Sequence, residues 1–399
     1  MDNYTETNSS TEPPPIHGDI LEAILSHIPL IHLIPLSHVS KAWNASVSST
    51  YRTSTNPKPW LILHTQSNRH SYQCPNPSTH AYDPDSNQWI RIHTRSPTTN
   101  HITTLRSSHS NLLYTLSPTN FSFSFDPLHL TWHYVPAPKV SRIDPIVAVV
   151  GRRVVVAGGA YDFEDDPLAV EIYDLQSHTW IKSDPMPRVF NFNHSASSIW
   201  LSVASDDPNL YLMEKSSGVT YSFDTSTNTW SGPYDLRPDR NVYHSVIGVL
   251  TGRLIVIGVL GEAEDVTGVK VWEVDCDSFG LKEIGEMPVE FVEDLRRCDE
   301  VISSIDVVMG GNVVYMCVGE RGGEVVVVCE VGDKGGCRWR KVVNTVGECG
   351  VMDRVVLTCS VVGVEDLQRA VRVEDWKFVV KRLKLNRLLM TSATAIVTV

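Results

Sequence analysis

One repeated phrase constrains this chain more than anything else in it. An aromatic or apolar residue is followed by Asp, then by five residues, then by Trp. It reads YDPDSNQW from Tyr82 to Trp89, FDPLHLTW from Phe125 to Trp132, YDLQSHTW from Tyr173 to Trp180 and FDTSTNTW from Phe223 to Trp230. A fifth copy, Val274 to Leu281, replaces Trp by Leu, and a weaker sixth ends at Trp339. Successive copies end 43 to 58 residues apart, and a four-stranded blade of a β-propeller takes about 40–50 residues. The residues between Asp and Trp favour turns. The Asp can close a hairpin by accepting backbone N–H groups. The Trp is a large apolar anchor on the returning strand, filling space between neighbouring blades.

Upstream of several copies lies a β-branched run ending in glycine. The clearest is RRVVVAGG, with Gly158 and Gly159 supplying positive φ or close backbone approach at the end of a buried strand. Tyr82, Trp89, Trp132, Gly158, Gly159, Tyr173, Trp180 and Trp230 are therefore expected to be structural. The fold class is mainly β, with six blades at about 60–93, 100–135, 143–183, 194–233, 244–287 and 300–344. Strand-like alternation over 354–364 and 371–380 either closes the ring or forms a seventh blade.

Residues 16–50 have a different period. Ile20, Leu21, Ile24, Leu25 and Ile28 recur at helical spacing, with Asp19 as the expected N-cap and Pro29 as the stop. Leu36, Val39, Trp43 and Val47 form a second apolar stripe. So few residues cannot bury both stripes among themselves. The stripes either pack on the propeller or are completed by a partner.

Composition narrows the function. The chain has 399 residues and a formal charge of −12. Residues 1–140 are neutral, with 8 Lys/Arg and 8 Asp/Glu, so the acidity belongs to the remainder. An acidic body is a poor match for nucleic acid or anionic lipid. No apolar run reaches the ~18–20 residues that span a bilayer. The polar start, MDNYTETNSSTEPPP, has neither the basic nor the apolar region of a signal peptide. A cytoplasmic or nuclear location is expected. The eight Cys contain no CxxC pair, so neither zinc nor a redox dithiol is expected. No nucleophile elbow, phosphate loop or HExxH helix occurs. No catalytic residue, metal or cofactor is assigned, and the chain is read as a non-enzyme.

Two resemblances add to this reading. The strand, double glycine, Tyr and Trp layout resembles the kelch repeat over roughly residues 60–345, most strongly at Val154–Trp180. The segment IHGDILEAILSHIPLIHLIPLSHVSKAWNASV resembles an F-box, with matching positions at Asp19, Ile20, Leu21, Ile24, Leu25, Ser26, Ile28, Pro29, Leu30, Leu33, Val39, Ser40, Lys41 and Trp43. It departs from that pattern at Ile16-His17, where a Leu-Pro opening is usual, at Pro35, and at Ala42. The order of the two resembles plant-type F-box/kelch-repeat proteins. The expected layout is a disordered lead over 1–15, an F-box over 16–50, a propeller over 60–380 and a tail over 381–399.

That resemblance implies the substrate-recognition subunit of a Skp–cullin–F-box ubiquitin ligase. The Skp adaptor, and through it a cullin, would bind a face drawn from Ile16, Ile20, Leu21, Ile24, Leu25, Ile28, Pro29, Leu33, Leu36, Val39 and Trp43. Some of these must pack within the F-box itself. The propeller would capture a protein substrate for proteasomal degradation. An enzyme of phenylpropanoid or flavonoid synthesis is the class that the resemblance implies. The alternative is a propeller interaction scaffold with a degraded F-box. Arg142, Arg188, Arg240 and Arg296 are the candidate substrate contacts, a cationic rim for an acidic motif, because repetition brings their like to one mouth of the ring. The competing reading is that each satisfies backbone carbonyls between blades. The irregular acidic inserts Tyr161–Pro167 and Met287–Glu300 are further substrate candidates.

Overall fold

The computed structural model describes residues 18–53, 58–67, 78–93, 105–126, 128, 131–161, 164–191, 197–298, 301–318, 323–333, 335–344, 353–367 and 377–381. Six antiparallel sheets form a closed ring. Blade 2 comprises Arg106–His109, Leu112–Leu116, Asn120–Ser124 and His133–Pro136. Blade 3 comprises Ile146–Val150, Arg153–Ala157, Val170–Asp174 and Thr179–Lys182, and blade 4 Leu201–Asp206, Asn209–Glu214, Val219–Asp224 and Thr229–Asp235. Blade 5 comprises Val242–Leu250, Arg253–Glu262, Asp265–Val274 and Leu281–Glu286, and blade 6 Asp306–Gly310, Val313–Cys317, Val325–Val331 and Cys337–Val343.

Blade 1 is assembled from both ends of the chain. Trp60–Ser67, Ser78–Asp83 and Gln88–His93 supply three strands, and Asp353–Ser360 supplies the innermost one. That strand pairs antiparallel with Trp60–Ser67 from Trp60↔Ser360 to Ser67↔Asp353. The late alternation thus closes the ring and does not add a seventh blade. Lys377–Lys381 adds a fifth strand outside Gln88–His93, covering an edge that would otherwise offer unpaired N–H and C=O groups.

The repeated phrase performs the work its residues suggest. Asp83, Asp174, Asp224 and Asp275 each accept a backbone N–H from two residues on, at 2.7 to 3.1 Å. The turns then pass through positive φ at Asn87, His178, Asn228 and Phe279. Those backbone bonds hold the Asp174 carboxyl below its usual range. Burial has the opposite effect on Asp83. Tyr82 faces Trp89, Tyr173 faces Trp180 and Phe223 faces Trp230 across the strand pairs. Each indole then reaches the preceding blade: Trp89 Nε1 donates to Val343 O at 3.0 Å, Trp180 to Pro136 O at 2.9 Å and Trp230 to Asp184 O at 3.4 Å. The anchors are therefore both apolar fillers and inter-blade hydrogen-bond donors. Trp132 sits just before its strand, half-buried, and makes no such bond among the described residues.

The polypeptide direction sorts the connections into two ends. The tight turn between the first and second strands and the Asp–Trp hairpin between the third and fourth lie at one, here the hairpin end. The loop between the second and third strands and the crossings from blade to blade lie at the other, the loop end.

Two buried histidines make the fold acid-sensitive. Burial pushes His64 down to about 3, and burial with the Lys215 ammonium pushes His244 down to about 4. Both are neutral when folded, whereas an unfolded histidine takes a proton near pH 6.5. Their contribution is complete above about pH 6.5 and is lost as pH falls toward about 4 and then 3. The melting temperature should fall steadily from pH 6.5 to 4, and less steeply in His64→Gln. A flat profile across that window would refute the assignment.

Candidate functional site

Three helices precede the ring: α1 (Asp19–Leu25), α2 (Leu30–Ser37) and α3 (Lys41–Thr53). Asp19 is the first helical residue, and the residue at the cap position is Gly18 with positive φ. Pro29 does not so much stop α1 as stand at the cap position that begins α2. The apolar stripe read from Leu36 to Val47 is broken by a turn. His38–Ser40 separate α2 from α3, and Ser40 Oγ accepts the Trp43 N–H at 3.2 Å. Pro35 lies in the last turn of α2, exposed, and the helix forms around it.

The helices divide their apolar residues between two destinations. Leu21, Leu25, Leu30, Ile31, Leu33, Ile34 and Val47 share one buried cluster with Trp60, Ile62, Ala81, Ile90 and Ile92 of blade 1. Leu128 of the blade 2 hairpin and Val362, Val364 and Leu367, just after the closing strand, complete it. These neighbours place the helical module at the hairpin end of blade 1. Ile20 stays 68% exposed, Val39 61% and Ile24 45%. Ile28, Pro29, Leu36 and Trp43 are half-buried.

At the loop end, the inner strands begin in a polar cluster. Arg106 pairs with Asp144, and Ser198 Oγ donates to the other Asp144 oxygen at 2.5 Å. Lys215 Nζ donates to Ser198 O at 3.0 Å. Burial lowers the Lys215 pKa, while Asp306 and Asp144 favour its charge. The buried His244 ring sits beside it, and its Nε2 has no hydrogen-bond partner among the described residues. Gly158 and Gly159 hold this end together. A Cβ on Gly159 would meet the Asp144–Pro145 backbone at 2.6 to 2.8 Å. Its N–H donates to Ser197 Oγ at 2.8 Å.

The family model described as F-box domain matches residues 18–55, and the Kelch motif model matches residues 142–187. F-box/kelch-repeat protein At1g23390 of Arabidopsis thaliana is 43% identical over 369 residues, covering 90% of this chain and 92% of that protein. The chain belongs to the plant-type F-box/kelch-repeat family. Putative F-box/kelch-repeat protein At3g27910 of the same plant is 23% identical over 207 residues, covering 52% of this chain and 49% of that protein. Among solved structures, putative 6-phosphogluconolactonases from Bacteroides uniformis and Bacteroides fragilis share 12% and 14% identity, with TM-scores of 0.39 and 0.40. They cover 75% and 77% of this chain and 100% and 99% of their own. At that level the likeness carries no argument.

The F-box fold corrects part of the expected adaptor face. Leu21, Leu25 and Leu33 are buried against blade 1 and have no surface to offer. Ile20, Ile24 and Val39 are bare, with Ile28, Pro29, Leu36 and Trp43 at the margin. Ile16 lies outside the described residues. Helical periodicity alone cannot choose between these groups, because the hidden face is set by a blade distant in sequence.

The kelch arginines all fall on successive blade-to-blade crossings, hence at the loop end. Arg142 is removed from the substrate group. Its side chain is buried, bonding Gly158 O, Ala169 O at 3.1 Å and the Glu171 carboxylate at 3.1 Å. Arg188 and Arg240 are exposed, and Arg296 pairs with Asp265 at 3.2 Å on the helix Val289–Cys298. Sequence reading missed Asp144 and Lys215. Their only signal is position: one lies just before an inner strand, the other just after a second strand. Among the described residues, no group of three or more His, Cys, Asp or Glu could hold a metal ion. No described helix is long and apolar enough to cross a membrane.

Two contrasts in stability check this partition. Leu25→Asp places a charge in the shared core and should cost about 4 kcal/mol or more, whereas Ile24→Asp should cost less than about 1 kcal/mol. Equal costs in urea unfolding would contradict the burial pattern. Arg142→Met strands the buried Glu171 carboxylate and should cost roughly 3–5 kcal/mol. Partial recovery is expected in the double variant with Glu171→Met.

Proposed function

We propose that the chain is the substrate-recognition subunit of a Skp–cullin–F-box ubiquitin ligase, without catalytic residues of its own. One observation carries the reading. The F-box buries one apolar face on blade 1 and leaves Ile20, Ile24 and Val39 uncovered on the other. That bare face suits docking by an apolar helical partner such as a Skp adaptor, and through it a cullin. The propeller then holds a protein substrate. Catalysis by the wider complex needs only proximity, a raised effective concentration of a substrate lysine near the charged ubiquitin carrier. The substrate class implied by the family resemblance is an enzyme of phenylpropanoid or flavonoid synthesis. The proposed location is the cytoplasm or nucleus. The buried thiols of Cys317 and Cys359 suit a reducing compartment.

The test is co-precipitation of purified full-length protein with a Skp adaptor and cullin. Ile24→Asp combined with Val39→Asp should abolish capture while the melting temperature stays within a few degrees of wild type. Failure of the correctly folded wild-type chain to bind any Skp adaptor would leave the scaffold reading in its place.

A further inference from the structure

The exposed apolar side chains are not spread evenly over the propeller. Fourteen large hydrophobic residues are exposed among those described, and three of them belong to the F-box. Seven of the rest, Ile143, Tyr161, Val189, Ile199, Trp200, Val289 and Val301, lie on loop-end connections. Tight turns need no apolar residues, and water disfavours them there, so such a concentration marks a surface.

Hydrogen bonds show that the segments carrying four of these residues adjoin one another. Ile143 N–H donates to Gly159 O at 2.9 Å, and Tyr161 N–H to Ser141 O at 2.9 Å. Gly159 N–H donates to Ser197 Oγ, at the start of the short helix that carries Ile199 and Trp200. Ser198 in that helix bonds Asp144, the neighbour of Ile143. The ridge is thus fixed by backbone geometry at the junction of blades 3 and 4. Tyr161 is 66% exposed, Ile199 61%, Trp200 44% and Ile143 42%.

The flank of this ridge is acidic. Glu164, Asp165 and Asp166 follow Tyr161 in the same loop. Asp165 accepts the Ser141 N–H at 3.2 Å and Asp166 the Leu168 N–H at 2.9 Å. Neither carboxylate is ion-paired among the described residues. Arg142 is buried and paired with Glu171, and it also feels the Asp165 and Asp166 charges, so one cation meets three carboxylates. The ridge therefore presents bare apolar area beside net negative charge.

We propose that this ridge docks a basic, apolar segment of the protein substrate, with lysine or arginine set against Asp165 and Asp166 and an aliphatic or aromatic side chain on Tyr161 and Ile199. Charge complementarity selects that partner. It differs from the expectation of a cationic rim for an acidic motif, to which Arg142 contributes no free charge and for which Arg188 and Arg240 remain exposed. The inference rests on the substrate-receptor reading but is tested separately from it.

The probe is a short fluorescent peptide alternating lysine and leucine, titrated into the full-length protein. Its counterpart with glutamate for lysine, and a lysine–serine peptide without apolar residues, are titrated alongside. The lysine–leucine peptide should bind, and more weakly as salt is raised. Tyr161→Ser with Ile199→Ser, both at exposed positions, should weaken it about tenfold or more, a loss typical of anchor residues. Asp166→Asn should reduce both the affinity and its salt dependence. Equal or tighter binding of the glutamate peptide would overturn the proposal, as would unchanged affinity in the folded variants. Skp adaptor capture by the same preparations is measured in parallel. Loss of the adaptor with retention of the peptide condemns the ligase reading alone, and the converse condemns only the docking ridge.

Discussion

The structure depends on one pairing more than on any other. Asp353–Ser360, near the end of the described chain, runs against Trp60–Ser67 near its start. Without it, blade 1 has no inner strand and the ring of inner strands is open. The two segments are some three hundred residues apart, so closing that loop has a large entropic cost. The return is contact area on both sides. Leu61, Leu63, Val355 and Leu357 enter one buried cluster with Val308, Tyr315 and Val328 of blade 6. The opposite face of blade 1 meets the helices.

Closure also fixes what the helices can do. Blade 1 alternates its side chains, with Leu61, Tyr82 and Trp89 toward blade 6 and Ile62, Ala81 and Ile90 toward the F-box. Val362, Val364 and Leu367 reach the helices only because the closing strand delivers them there. The ring and the helical module therefore share one packing problem. The helices meet blade 1 at the hairpin end, and the apolar ridge lies on loop-end connections.

Much of the fold was legible because it is written in local chemistry. The Asp turns, the cross-strand aromatic pairs and the Gly158–Gly159 pair all act within a hairpin or a few residues of one. The site was legible by type and less so by face. The F-box stripe was visible, but which of Leu21, Ile24 and Leu25 is bare follows from the position of blade 1. Arg142 looks like its exposed counterparts in sequence, and its burial follows from the Glu171 carboxylate on the neighbouring strand.

The sequence by itself determined the repeat, the blade period, the helical module ahead of it and the family to which the chain belongs. These rest on spacing and on residue types whose preferences are intrinsic, such as turn formers, β-branched runs and large aromatic anchors. Tertiary structure alone decided that the last inner strand completes blade 1, that Leu21, Leu25, Leu30 and Leu33 of the helices are spent in the core, and that an apolar ridge at the blade 3–4 junction stands beside acidic groups. Each of those outcomes joins residues far apart in the chain, and burial at such junctions depends on the partner that the fold brings there.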